Sequence, residues 1–105
     1  MSDAEILAEA VRRIDAYCHP RQVLLFGSRA RGEAQVDSDF DLAVVVDGEP
    51  DSWRIAGDLR GELGGLPASF DIVVFATTAW QKWRTVPVAF EHRIAREGRV
   101  LLDAA

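Results

Sequence analysis

Two apolar runs, each short for a helix, enclose a glycine turn and a pair of aspartates. Val23-Leu24-Leu25-Phe26 is bounded by Pro20 and Gly27, and residues 40–46 are apolar and β-branched up to the turn dipeptide Asp47-Gly48. Runs of this length, stopped by turn residues, suit buried strands. Between them, Ser28 to Arg31 can form one helical turn before Gly32 stops it. The rest of the chain fits around this pair. Ser2 and Glu5 make a capping box ahead of Ile6, Leu7, Ala10, Val11 and Ile14, which predicts an amphipathic helix over 3–17. Ile55, Ala56, Leu59 and Leu63 predict a second helix over 51–63, ending in Gly64-Gly65-Leu66-Pro67. Residues 69–75 read as a third strand. Pro87 suits a helix start, Val86, Phe90 and Ile94 share a face, and Gly98 suits the position just past a helix end. Val100-Leu101-Leu102 reads as a short last strand. This order implies an α/β (α+β) fold, a small mixed β-sheet flanked by helices, in one domain over residues 1–105.

Composition removes several functions. Seventeen acidic residues against twelve basic ones leave a net charge of -5, which argues against direct nucleic-acid binding, since that rests on Lys and Arg neutralising phosphates. The excess sits mainly in residues 37–62, where Asp37, Asp39, Asp41, Asp47, Glu49, Asp51, Asp58 and Glu62 face only Arg54 and Arg60. Cys18 is the single cysteine, so no internal disulfide forms, and it reads as packing. Tyr17 reads as helix packing rather than as a modification target. No apolar run approaches the roughly 20 residues of a membrane helix, and the N-terminal stretch is acidic without a signal-peptide core. A cytoplasmic location with no membrane partner is expected. His19 and His92 lie far from each other and from Cys18, which argues against a zinc site.

The chemistry concentrates between Leu25 and Val46. A strand running into Gly27-Ser28 lets a phosphate approach the backbone without a Cβ in the way. Gly27 and Gly32 satisfy G-x-x-x-x-G, but Glu33-Ala34 follow instead of Lys-Ser/Thr, which excludes a P-loop. Asp39 and Asp41 stand at i and i+2, so both carboxylates leave the same side of a strand while Phe40 and Leu42 point to the core. Two carboxylates side by side repel, and a hard divalent cation relieves that repulsion. Asp71 opens the third strand; were that strand beside the second, all three carboxylates would converge. Arg29 and Arg31 are cations within reach of a phosphate at Gly27-Ser28, and either could instead pair with Glu33 or Asp37.

Gly27-Ser28, ten residues, Asp39-x-Asp41 and a later strand-borne Asp71 resemble the nucleotidyltransferase superfamily related to DNA polymerase β. The variant LFGSRARG…SDFDLAVVV looks like its minimal members, the MNT proteins, and the likeness runs to the tail Phe90…Ile94…Gly98-Arg99-Val100-Leu101. The resemblance implies that Gly27 and Ser28 hold the triphosphate of a nucleotide, with Arg29 and Arg31 as further nucleotide contacts. It implies that Asp39, Asp41 and Asp71 are the catalytic and metal-binding carboxylates, holding two Mg²⁺ ions. The implied reaction transfers AMP from ATP to a hydroxyl.

The resemblance also implies a partner. Only 34 residues follow Asp71, too few for an acceptor-binding domain. Minimal members typically act as antitoxins to a HEPN protein toxin, adding AMP to one of its tyrosines, and a hetero-oligomer with that partner is implied. Two alternatives stay open: an antitoxin that neutralises by binding alone, and a transferase for an aminoglycoside-like small molecule. Trp80, Trp83 and Val86 recur at three-residue spacing beside Lys82 and Arg84, which fits either a partner surface or the chain's own core.

Overall fold

The computed structural model describes residues 1–104. In chain order the elements are α1 (Asp3–Cys18), β1 (Gln22–Phe26), α2 (Ser28–Arg31), β2 (Phe40–Val46), α3 (Ser52–Glu62), β3 (Phe70–Ala76), α4 (Thr77–Trp83), α5 (Phe90–Glu97) and β4 (Arg99–Asp103). The strands form one sheet in the order β3-β2-β1-β4. β2 and β3 run parallel, and β1 is antiparallel to both its neighbours. This is the mixed sheet flanked by helices that the sequence implies. Among the described residues, no helix is long and apolar enough to cross a membrane.

α1 begins as its sequence dictates. The Ser2 hydroxyl accepts from the Glu5 N–H at 3.1 Å, and Glu5 returns the contact to the Ser2 N–H at 2.9 Å; a cap of this kind contributes about 1 kcal/mol. Ile6, Leu7, Ala10 and Ile14 are buried on one stripe. They pack with Ala56, Leu59 and Leu63 of the α3 region against Val23, Leu25, Phe40, Leu42, Val44, Ile72 and Val74 of the sheet. Each such Leu or Ile side chain contributes about 1.5–3 kcal/mol by leaving water. Arg13 ties the two helices, donating to the Glu62 and Gly64 carbonyls at 3.0 and 3.1 Å. These carbonyls at the end of α3 have no intrahelical partner.

α4 and α5 cover the other face, where Leu24, Phe26, Ala43, Val45, Trp80 and Ile94 form a second cluster. The open choice for the tryptophans divides here, and the packing expected of Tyr17 is overturned. Trp80 is core, 2 % exposed, whereas Trp83 stands 41 % exposed. Tyr17 is likewise exposed rather than packed, its hydroxyl bonded to the Asp58 carboxylate. Gly98 stands directly after the end of α5, where the sequence places it, with φ at -75° rather than left-handed. A Cβ there would overlap the Ile94 carbonyl and lie 3.3 Å from the Leu25 carbonyl, so the glycine serves first the tight exit from α5 and second its contact with β1.

Candidate active site

Strand register assembles the carboxylates. Asp41 lies opposite Phe26 of β1 on one side and opposite Asp71 of β3 on the other. Side-chain alternation sends Phe40 and Leu42 into the α1/α3 layer, where they are 2 % and 0 % exposed. It leaves Asp41 on the α4/α5 side, in line with Ala43 and Val45. Asp71 keeps the parity of Val73 and Phe75, which pack on that same side. Asp39 stands just before β2. Asp41 and Asp71 therefore share one face at one end of the sheet, with Asp39 at the mouth of β2 beside them.

The electrostatics follow. Burial is the first cause that pushes the Asp41 carboxyl pKa up, and the negative charges of Asp71 and Asp39 push it further. Arg31 opposes them and Glu97 adds to them. Gly27 closes the site from β1. Its φ is +74°, a region that disfavours side chains, and a Cβ would overlap the Oδ2 of Asp41. The turn is thus glycine for two independent reasons, one conformational and one steric.

The two arginines part company. Arg29 lies 4.0 Å from the Phe40 ring centroid and donates to the Ser38 carbonyl at 2.7 and 2.9 Å, the Val36 carbonyl at 3.2 Å and Asp3 at 3.0 Å. It sits toward the α1/α3 side and braces the loop that leads into Asp39. Arg31 lies on the carboxylate side, paired with Glu33 at 3.0 Å and Glu97 at 3.2 Å. Ser28 opens α2 directly after Gly27.

Glu97 belongs to this site and was not singled out by sequence. Its Oε1 accepts from the Gly27 N–H and from Arg31, each at 3.2 Å. With Phe90, His92, Arg93 and Arg96 it also lines a surface cleft of about 580 Å³. A glutamate at a helix end resembles any solvated charge. The one hint is its sign, since acids are disfavoured in the last turn.

The donor set is all oxygen, which suits a hard cation such as Mg²⁺. Among the described residues no three His, Cys, Asp or Glu side chains form a ready-made cage. An Mg²⁺ ion there would take one or two of these carboxylates and draw its other ligands from phosphate and water. Asp41 and Asp71 stand side by side in the register of β2 and β3, with repulsion between them second to burial in raising the Asp41 pKa, so the residues fit such an ion.

The model of the family described as "Polymerase beta, Nucleotidyltransferase" matches residues 11–105. Two solved structures share the fold. One is a Sulfolobus solfataricus protein assigned as a nucleotidyltransferase, 21% identical, with a TM-score of 0.59 over 74% of this chain and 70% of that one. The other is a chain of a toxin–antitoxin structure with AMP-PNP, 21% identical, with a TM-score of 0.58 over 97% of this chain and 74% of that one. No curated protein matches the chain. With a family model running from α1 to the last residues, this chain belongs to the polymerase beta nucleotidyltransferase family.

Proposed function

We propose that the chain transfers AMP from ATP to a hydroxyl of a partner protein, a tyrosine of a cognate HEPN toxin, and so acts as the antitoxin of the pair. The observation that carries this reading is the register of Asp41 with Asp71 beside a glycine that leaves Asp41 room. The toxin–antitoxin setting of one fold neighbour is consistent with it.

In this reading Asp39 and Asp41, completed by Asp71, would hold Mg²⁺, which would supply charge neutralisation for the triphosphate and the transferring group. Gly27 and Ser28 seat the phosphates, and Arg31 rather than Arg29 supplies the nearby cation. The cleft beside Glu97 is lined by none of Gly27, Ser28, Asp39, Asp41 or Asp71, so it carries no part of this reading. The acceptor oxygen bonds to the α-phosphorus, the bond from that phosphorus to the bridging oxygen breaks, and pyrophosphate leaves. Asp71 takes the acceptor's proton. Catalysis is positioning and charge neutralisation.

The test is transfer of label from ATP, with Mg²⁺, to the neighbouring gene's product. The expected outcome is labelling by the wild type and none by an Asp39→Ala, Asp41→Ala variant. Undiminished labelling by that variant would overturn the reading. Rescue of cells by the variant would instead favour neutralisation by binding. Trp53, Trp83 and Val88, exposed at 88%, 41% and 95%, offer apolar surface for that second reading.

A further inference from the structure

Glu97 occupies a place that electrostatics disfavours. It lies in the last turn of α5, where the helix carbonyls already present partial negative charge. It also adds to the repulsion on Asp41. Its side chain is 18% exposed, so solvent screens it only in part. Two contacts offset these costs, the Gly27 N–H and the Arg31 guanidinium, both at 3.2 Å.

The backbone makes this delivery rigid. The chain leaves α5 at Gly98 close to the Leu25 carbonyl, two residues before Gly27, and pairs with Leu25 at Arg99. Arg31 has another acceptor, Glu33, at 3.0 Å. Glu33 lies on the exposed loop that follows α2. Without Glu97, Glu33 is the one hydrogen-bond acceptor left to the guanidinium among the described residues.

We propose that Glu97 is a positioning residue for nucleotide binding: it holds Arg31 beside the carboxylates and fixes the Gly27 turn. This rests on the reading of the site as a nucleotide site. Glu97 acts through Arg31 and Gly27 and has no contact with the reacting atoms.

Glu97→Gln keeps the side-chain size and an oxygen for Gly27 but loses the charge that holds Arg31. Glu97→Ala loses both. Each is made alone and in an Arg31→Met background, and three quantities are measured: the Kd for ATP with Mg²⁺ by calorimetry, the Tm, and amide hydrogen exchange at Gly27. Glu97→Gln is expected to weaken ATP binding about tenfold, the size of one charge-assisted hydrogen bond, with an unchanged or higher Tm. It is expected to add nothing once Arg31 is Met. Glu97→Ala is expected to speed exchange at Gly27 as well. Equal loss in both backgrounds would overturn the role through Arg31. Tighter ATP binding would overturn it in favour of a carboxylate that competes with phosphate. Unchanged exchange in Glu97→Ala would remove the Gly27 tether. If wild type binds ATP and Glu97→Gln binds it equally, only the positioning role fails. If wild type binds no ATP, the nucleotide-site reading fails and this inference falls with it.

Discussion

Among the described residues, fourteen buried ones pack between the sheet and the α1/α3 layer, against six between the sheet and the α4/α5 layer. The first layer is finished at its ends. Ser2 and Asp51 cap α1 and α3, and Arg13 crosses between them. The second layer is looser. Neither α4 nor α5 has a side-chain N-cap, and the buried Trp80 Nε1 has no hydrogen-bond partner among the described residues. Phe90 stands 41% exposed. The carboxylates sit on that second face, so one layer carries the stability while the other carries like charges that cost some of it.

The largest expected effect separates the two roles. Asp39→Ala with Asp41→Ala removes transfer by on the order of a thousandfold or more, while Tm stays level or rises, because the chain loses mutual repulsion. A fall in Tm would break the contrast. Leu59→Ala tests the opposite layer. Leu59 is fully buried, and the truncation is expected to cost about 3 kcal/mol in denaturant unfolding, with transfer by the folded fraction intact. Trp80→Phe is smaller. It deletes an unpaired buried N–H and leaves a modest void, two terms of opposite sign, so a net change within about 1 kcal/mol is expected.

The smallest effect is a pair of opposed pH slopes. Arg12 first, then Arg13, hold the Glu9 carboxyl at about 2 instead of 4.5. A lowered folded pKa means that the stabilisation is complete above 4.5 and is lost as pH falls toward about 2. The Asp41 shift is upward, so its ionised form destabilises above its pKa, and acid relieves the penalty. In thermal melts in metal-free buffer, Glu9→Gln should lower Tm at neutral pH, and Asp41→Asn should raise it. Both differences should shrink on acidification. Shifts of the same sign would remove the distinction.

Local pattern carried much of the architecture. The capping box, the three apolar runs and the parity of Asp39 and Asp41 against Phe40 and Leu42 are short-range properties, and α1, β1, β2 and β3 follow them closely. Placing Asp71 needed the sheet order, which no local pattern encodes. The arginines show a finer limit. Arg29 and Arg31 are two residues apart, about 200° around a helix, so they cannot serve one side, yet only the packing of Phe40 shows which faces inward. Glu97 lies 70 residues from Gly27, beyond any periodicity. Gly98 was legible as a special position, although its reason is contact and not handedness.

The parallel pairing of β2 with β3 has a consequence in time. Gly27, Asp41, Asp71 and Glu97 are contributed by segments spread over most of the chain, and no two adjacent elements hold a working set. A parallel crossover closes its loop before contacts reward it, so it forms late. A chain in which α5 has not seated against β1 lacks the Glu97 contacts to Gly27 and Arg31. Local opening of that last helix should dissolve the Gly27 and Arg31 contacts together while leaving the α1/α3 layer folded.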